Sequence, residues 1–286
     1  MTIDAAWISR AYLDACEIEL RSLKPGNVHI HADGHRMTVA DFEASAGASA
    51  PALAKPGLAV GERILEAIRA TREVAGCNTN LGIVLLCAPL AVAAERRPDL
   101  AIRESVKEVL AGLTVADAEH TFEAIRLAAP AGLGDSAEHD VRRPATGTLL
   151  EAMAAARARD RIAEQYASGF HDVFGLGLSR LAVGLARWCD SRWACSSAYL
   201  GFLSTFPDSH IRRKFGDQRA EEVRRAAGCL DADLLAQSHP EALTPRLLEL
   251  DATLKAQGVN PGTSADLTVA SLFALRLELA RGARHH

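Results

Sequence analysis

The stretch from Leu81 to Ala94, LGIVLLCAPLAVAA, decides the fold class of this chain. It is almost entirely apolar, yet it is shorter than the roughly 20 residues that an α-helix needs to cross a membrane. Pro89 also lies within it. A run of this length is more typical of a buried helix than of a membrane span. We therefore assign it to the core of a helical protein.

The segments on either side of this run also carry helical signals. Apolar residues recur at three- and four-residue spacing. Thr38 and Thr114 each open a Thr-x-x-Asp sequence, in which the hydroxyl accepts a first-turn N–H and the acid faces the positive end of the helix. Aromatic residues make up only 5% of the 286 residues, so we expect close packing through small side chains. The sequence thus predicts an all-α fold of about a dozen helices.

We predict one compact domain over residues 1–284, and we interpret His285 and His286 as a tag remnant. The predicted helices are at about 4–23, 38–54, 60–75, 79–95, 99–111, 114–128, 145–168, 171–188, 191–203, 217–228, 244–257 and 263–281. The remaining segments, including 204–216, are predicted to be irregular. Acids, a histidine and arginines are concentrated in 129–144, which favours an active-site loop over a linker.

Charge and cysteine content exclude several classes of protein. The net charge is −4 and basic residues alternate with acidic ones, so no face suits a nucleic acid. Charged residues interrupt the N-terminal stretch, which excludes a secretory signal and predicts a cytoplasmic protein with no membrane partner. The six cysteines contain no CxxC pair, so reduced thiols are expected. The sequence leaves monomer and homodimer open.

Two candidate motifs follow predicted helices in the first third of the chain. Glu19 precedes Lys24-Pro25-Gly26-Asn27, where a turn exposes backbone amides beside a lysine and suits an anion. An ordinary helix stop explains the same residues. Asn78 and Thr79 precede Gly82 at the start of the apolar helix, where they cap backbone amides or also face a nucleotide.

Two further motifs lie in the last third. Asp208, Ser209 and His210 come before three consecutive cations, among them Arg213 and Lys214. An acid that holds Mg²⁺ beside cations that hold phosphates is the arrangement that triphosphate binding requires, although a helix cap followed by a basic turn is an equal alternative.

The fourth motif is Pro261-Gly262-Thr263-Ser264-Ala265-Asp266. We expect Thr263 or Ser264 to cap the last helix, whose free amides can meet a phosphate, with Asp266 in its first turn. Asp172, which follows a break at Gly169, is an additional candidate acid.

Taken in order, these motifs resemble the triphosphoribosyl-dephospho-CoA synthase family over nearly the whole chain. The resemblance implies an all-helical, Mg²⁺-dependent enzyme in which a hydroxyl of dephospho-CoA attacks the ribose C1′ of ATP and expels adenine. Such a displacement needs a base for the hydroxyl and firm restraint of the triphosphate.

The resemblance also implies roles for the motif residues. Asp266 or Glu19 would act near the reacting centre, and Asp208 and Asp172 would hold Mg²⁺. The residues expected to bind the nucleotide are Lys24, Gly26, Asn27, Asn78, Thr79, Ser209, His210, Arg213, Lys214, Gly262, Thr263 and Ser264.

Some motif positions depart from the family pattern. Members that act on dephospho-CoA carry Asn-Thr-His-Lys-Gly where this chain has Asn78-Thr79-Asn80-Leu81-Gly82, and a paired-acid Asp-Asp-Thr-Asn where it has Pro207-Asp208-Ser209-His210. The chain resembles a divergent branch found in archaea and C1-metabolising bacteria. The same chemistry on a methanopterin or methylofuran precursor is therefore one alternative. An ADP-ribosyl-hydrolase-like enzyme and a non-catalytic nucleotide-binding protein are two others, and the missing acid pair argues against the hydrolase.

Overall fold

A computed structural model describes residues 3–35, 37–97, 99–130 and 139–282. Within these ranges the protein is all-α, with fourteen α-helices and no strand longer than an isolated bridge. The fold class predicted from the sequence is confirmed. Residues 285–286 and part of the predicted loop 129–144 lie outside the described residues.

The helices follow one another with short connections. They are α1 (Ala5–Arg21), α2 (Val39–Ala54), α3 (Val60–Ala75), α4 (Leu81–Arg96), α5 (Ile102–Ala111), α6 (Val115–Ala128), α7 (Leu149–Ala156), α8 (Arg161–Ser168), α9 (Leu178–Trp188), α10 (Ser191–Thr205), α11 (Ser209–Phe215), α12 (Asp217–Ala236), α13 (Thr244–Ala256) and α14 (Gly262–Gly282). A π-helical turn, Val173–Gly177, leads into α9, and a 3₁₀ turn, Pro240–Leu243, leads into α13.

The apolar run forms α4, which is the central helix of the described structure. Every residue from Ile83 to Ala94 is buried, Pro89 included. Helices α2, α3, α5 and α14 pack around it. Among the residues described, no helix is both long and apolar enough to cross a membrane.

The buried side chains form two hydrophobic clusters. The larger one contains α4 and side chains from α1 to α8, and the smaller one joins α11, α12 and α13. Helix α14 contributes to both, because Ala265 lies in the smaller cluster and Leu267 in the larger. The first turn of α14 therefore lies at the boundary between the two clusters.

Side-chain caps fix the starts of two helices at the positions predicted from the sequence. Thr38 and Thr114 accept first-turn N–H groups, and Asp41 and Asp117 return the hydrogen bond to the cap N–H, so both predicted capping boxes are confirmed. The prediction for 60–75 matches α3 residue for residue.

Three predictions of helix extent were wrong. The predicted helix 145–168 is broken, because Asp160 accepts the N–H of Ile162 and starts α8 as a separate helix. The segment 204–216, predicted to be irregular, contains α11, which Asp208 caps. Helix α12 continues to Ala236 instead of ending near residue 228.

The described part of the 129–144 loop lies on α6. Arg126 donates to the carbonyl of Val141, and Glu119 accepts the N–H of Ala145. These contacts are with a helix that packs mainly on α3 and α7. The hydrogen bond from Arg126 fastens the described part of this loop to α6, and the interpretation of the loop as part of the active site stays a prediction.

Candidate active site

The four sequence motifs meet at the start of α14. Asn27 donates through Nδ2 to Oδ1 of Asn260 at 2.8 Å, which joins the first motif to the last. The N–H of His210 lies 3.2 Å from Oγ1 of Thr263. Segments more than 200 residues apart in the chain thus lie together at the start of α14.

Asp208 fastens α11 to α14 and is fully buried. Its Oδ1 accepts the N–H groups of His210 and Ile211 at 2.9 and 3.2 Å. Its Oδ2 accepts both the N–H and the hydroxyl of Ser264 at 2.8 Å. Both carboxylate oxygens are therefore occupied by protein donors, and this acid from another segment takes the capping role that we had expected of Thr263 or Ser264.

Ser209 and Gly262 also serve contacts between helices. The hydroxyl of Ser209 accepts the N–H of Arg161 at 2.8 Å. A Cβ built on Gly262 would lie 2.7 Å from Nδ1 of His210, so the glycine is required by the imidazole that packs against it. Gly262 is helical, whereas Gly26 has φ +85° and a Cβ there would lie 2.8 Å from Leu254.

Asp266 differs from Asp208 in having no hydrogen-bond partner among the described residues. It is partly exposed, and no hydrogen bond or ion pair reaches it from the residues that the structure describes. Its carboxylate lies directly against α4, where a Cβ on Gly82 would be 2.0 Å from Oδ2. Desolvation, reinforced by the charges of Asp208 and Glu19, holds the pKa of Asp266 well above its ordinary value. Gly82 thus leaves room for a carboxylate that is ready to take up a proton.

Glu19 and Lys24 form a buried ion pair beside this carboxylate. Lys24 is fully buried, and its ammonium contacts Oε1 of Glu19 and donates to Oδ1 of Asn27 at 3.0 Å. Burial raises the pKa of Glu19, and the charge of Lys24 partly opposes that shift. The predicted phosphate ligand Lys24 is therefore neutralised by Glu19 and held away from the surface.

Asp251 belongs to the same network and was missed at the sequence level. This buried acid of α13 accepts the N–H of Gly26 at 2.8 Å and the ammonium of Lys255 at 3.0 Å, and it lies 3.3 Å from Nε2 of His29. Its pKa is lowered: burial acts to raise it, but the hydrogen bonds from His29, Gly26 and Lys255 together outweigh burial. In the sequence it is an ordinary helical acid, and the only local signal is the lysine four residues later.

Asp172 lies in an ion pair of its own. Arg161 donates to both of its carboxylate oxygens at 2.7 and 2.9 Å, and Gln165 donates to Oδ2 at 2.5 Å. Arg161 also lies over the ring of Phe206, 4.2 Å from its centroid. Protein donors thus occupy the oxygens of Asp172, as they do those of Asp208.

These two acids do not fit a metal centre as they stand. Divalent magnesium needs several free oxygen ligands. The described residues contain no cluster of three or more histidine, cysteine, aspartate or glutamate side chains able to hold a metal. A site on Asp208 and Asp172 would require the loss of their hydrogen bonds.

The Asn-Thr-Asn cluster faces α2. Oδ1 of Asn78 accepts the N–H of Leu81 at 3.1 Å, and Thr79 donates its hydroxyl to Ser45 at 2.6 Å. Asn80 is buried and donates to Oγ of Ser49 at 3.2 Å. Capping therefore accounts for Asn78, and contacts to α2 account for Thr79.

Cationic groups border the start of α14 on its outer side. Lys214 is exposed, and its ammonium makes one long contact of 3.4 Å with the carbonyl of Gly258. Arg213 donates to Asp160 at 2.6 Å and leaves its buried Nε without a partner in the described structure. Burial lowers the pKa of His210, and the nearby charges of Arg213 and Lys214 lower it further. This border suits an anion.

The arrangement combines an unpaired carboxylate with a cationic border at the start of a long helix. The backbone N–H groups of Gly262 and Thr263 donate to no acceptor among the described residues. Such N–H groups attract phosphate. The site can therefore hold an anion at its edge while a base acts a helical turn further in.

A family model described as CitG, ATP:dephospho-CoA triphosphoribosyl transferase, matches residues 5–285. The chain is also similar to a crystal structure of a protein from Archaeoglobus fulgidus that is provisionally assigned as a triphosphoribosyl-dephospho-CoA synthase. The two are 27% identical with a TM-score of 0.63, over 84% of this chain and 98% of the archaeal one. The search of curated proteins gave no match.

Proposed function

Because the chain belongs to the CitG family of ATP:dephospho-CoA triphosphoribosyl transferases, we propose that it transfers the triphosphoribosyl group of ATP to an acceptor hydroxyl and releases adenine. Dephospho-CoA is the acceptor that the family implies. The observation that carries the residue assignment is the unpartnered carboxylate of Asp266, at the point where all four motifs meet.

Asp266 acts as the base. It takes the proton of the acceptor hydroxyl as the oxygen forms a bond to C1′ and the bond from C1′ to adenine N9 breaks. The leaving adenine takes a proton at N9 from solvent, and Asp266 returns its own proton to solvent. A general base works best when its pKa lies near the working pH, and the raised pKa of Asp266 moves it in that direction.

Glu19 supports the same step through its charge. The displacement passes through an oxocarbenium-like state with positive charge on the ribose. Glu19 and Asp266 lie close enough for the charge of Glu19 to raise the pKa of Asp266. Two carboxylates on one side of C1′ stabilise that charge. Lys24 keeps Glu19 ionised and in place, which is a positioning role and not a phosphate contact.

The triphosphate lies at the cationic border. The free N–H groups of Gly262 and Thr263 and the side chains of His210, Arg213 and Lys214 surround the start of α14. Restraint of the triphosphate there holds the ribose against Asp266. Magnesium enters this proposal only as the counter-ion of ATP, since Asp208 and Asp172 are already bonded.

Release of adenine from ATP, measured by chromatography with and without dephospho-CoA, tests the proposal. We expect adenine to appear only with the acceptor, in equal amounts with the triphosphoribosyl product. Adenine release that depends on water alone would instead favour a hydrolase, and binding of ATP without release would favour a non-catalytic nucleotide-binding protein.

A further inference from the structure

A small cavity lies between α1, α2, α4 and α14, beside the candidate active site. Its polar lining includes Glu19 and Asn80, and its apolar lining includes Phe42, Ile83 and Val269. Its free volume is about 10 Å³, which is room for one group the size of a water molecule. The cavity therefore has room for one small polar group, with apolar side chains around it.

Asn80 carries an unsatisfied acceptor in this wall. Its side chain is 3% exposed, and its Oδ1 has no hydrogen-bond partner among the residues described. Buried polar atoms are almost always hydrogen-bonded, so an unpaired one requires an explanation such as a missing water or ligand. A group that fills the cavity must therefore be a hydrogen-bond donor.

The orientation of the Asn80 amide is fixed by its neighbours. Ser49 donates its only hydroxyl proton to the carbonyl of Ser45 at 2.7 Å. Its oxygen must then accept from both Tyr12 and Asn80, at 3.0 and 3.2 Å. Only the amide nitrogen of Asn80 can donate, so the nitrogen faces Ser49 and the oxygen remains free.

We propose that Oδ1 of Asn80 accepts a hydrogen bond from the 6-amino group of the adenine of ATP, which makes Asn80 the residue that selects adenine over other purines. The inference rests on the proposed function. Ile83 of the cavity wall follows Gly82, against which Asp266 lies. A purine whose amino group enters the cavity therefore lies beside the turn of α4 against which Asp266 packs.

The test compares ATP with purine riboside triphosphate, which lacks the 6-amino group. The parent protein is expected to prefer ATP by about tenfold in kcat/KM, because the nucleotide without a donor leaves Oδ1 unpaired. In Asn80→Ala the preference is expected to fall to about twofold or less. This ratio is measured within one preparation, so a partly unfolded variant does not distort it.

Asn78→Ala is the matched control. It alters the same helix start through the cap on Leu81 but does not line the cavity, so it keeps the preference for ATP even where both rates fall. Ala46→Val provides a second route, because Ala46 lines the cavity from α2. Narrowing the cavity there is expected to lower kcat/KM for ATP more than for purine riboside triphosphate.

Equal use of the two nucleotides by the parent protein, with base released from both, would overturn the inference while leaving the proposed function intact; the cavity would then hold only a water molecule. Should neither nucleotide release its base in the presence of dephospho-CoA, the proposed function fails instead. Calorimetric affinities of the two nucleotides then decide the inference, which requires tighter binding of ATP by the parent and not by Asn80→Ala.

Discussion

Two carboxylates on either side of the start of α14 have opposite surroundings. Asp208 accepts four hydrogen bonds from backbone and side-chain donors and is fully buried. Asp266 lies one helical turn further along and receives none from the described residues. A carboxylate whose oxygens all accept hydrogen bonds stabilises the fold. A desolvated carboxylate without hydrogen-bond partners has a raised pKa and is a candidate catalytic group. Sequence motifs alone do not distinguish the two.

The largest effect is expected on stability, from Asp208→Ala. Removal of this carboxylate leaves the N–H groups of His210, Ile211 and Ser264 without their charged acceptor, which should cost about 3–5 kcal/mol in the free energy of unfolding. Urea titration measures it. Asp217→Ala is the matched control, because that side chain is 83% exposed in its pair with Arg212 and should cost less than about 1 kcal/mol. Equal costs for both variants would contradict the structural role of Asp208.

Asp266→Asn should have the opposite pattern. The rate of adenine release is expected to fall on the order of 10² or more, because the amide cannot accept the proton. The melting temperature is expected to rise, since the substitution removes a desolvated charge that no donor compensates. Calorimetry and the adenine assay on the same preparation measure both. A variant with normal activity would move the base to Glu19.

The pH dependence separates these contributions further. The pKa of Asp266 is raised in the folded protein, so the native state binds more protons than the unfolded chain between the ordinary carboxyl pKa and the raised one. Its contribution to stability is therefore lost as pH rises through that interval, while activity increases because only the ionised form is a base. Both slopes should disappear in Asp266→Asn, and persistence of the rate profile would assign it to another group.

Lys214→Ala tests the cationic border. The side chain is exposed, and its ammonium has a long contact of 3.4 Å with the carbonyl of Gly258 and lies 5.1 Å from the ring centroid of Phe215, so its loss should change the free energy of unfolding by less than about 0.5 kcal/mol. A charge-assisted phosphate contact is worth more, so KM for ATP should rise by at least about tenfold. Arg225→Ala removes an equally exposed cation from α12 and should leave KM unchanged. If both variants behave alike, this border is ordinary protein surface.

Local signals in the sequence predicted the fold well and the site only in outline. Capping boxes at Thr38 and Thr114 and the apolar run of α4 act within one helix, so their partners are visible a few residues away. Helix α11 lies in a segment predicted to be irregular, although a helix cap at Asp208 was one of the two interpretations of its motif. The sequence cannot show that Asp208 also bonds to Ser264, 56 positions later.

The same reason explains why the contacts within the site could not be predicted. The four motifs meet at the start of α14, and their pairing could not be derived from spacing. In the sequence, Lys24 is a candidate phosphate ligand, but in the structure it is paired with Glu19. Asp172 is a candidate metal ligand in the sequence, but in the structure it is paired with Arg161. Asp251 gave almost no signal because its partners come from a loop more than 200 residues earlier. Sequence indicates which chemical groups are present, and packing decides which of them stay free.

Gly82→Ala has the smallest expected effect. It tests whether the packing of α4 against Asp266 sets the position of the free carboxylate. A Cβ at Gly82 would lie 2.0 Å from Oδ2 and 2.4 Å from Cγ of Asp266, so the carboxylate must rotate away from its position. The end of an aspartate side chain moves easily, and alanine in a helix gains roughly 0.5–1 kcal/mol over glycine, so stability should change little. Adenine release should nevertheless fall by about tenfold, because the base no longer lies where the acceptor hydroxyl needs it.

Gly228→Ala is the control. A Cβ at Gly228 in α12 meets nothing within 4 Å, so this variant should gain the same helix stability without loss of activity. Full activity in Gly82→Ala would mean that the observed position of the Asp266 carboxylate is not the one that acts.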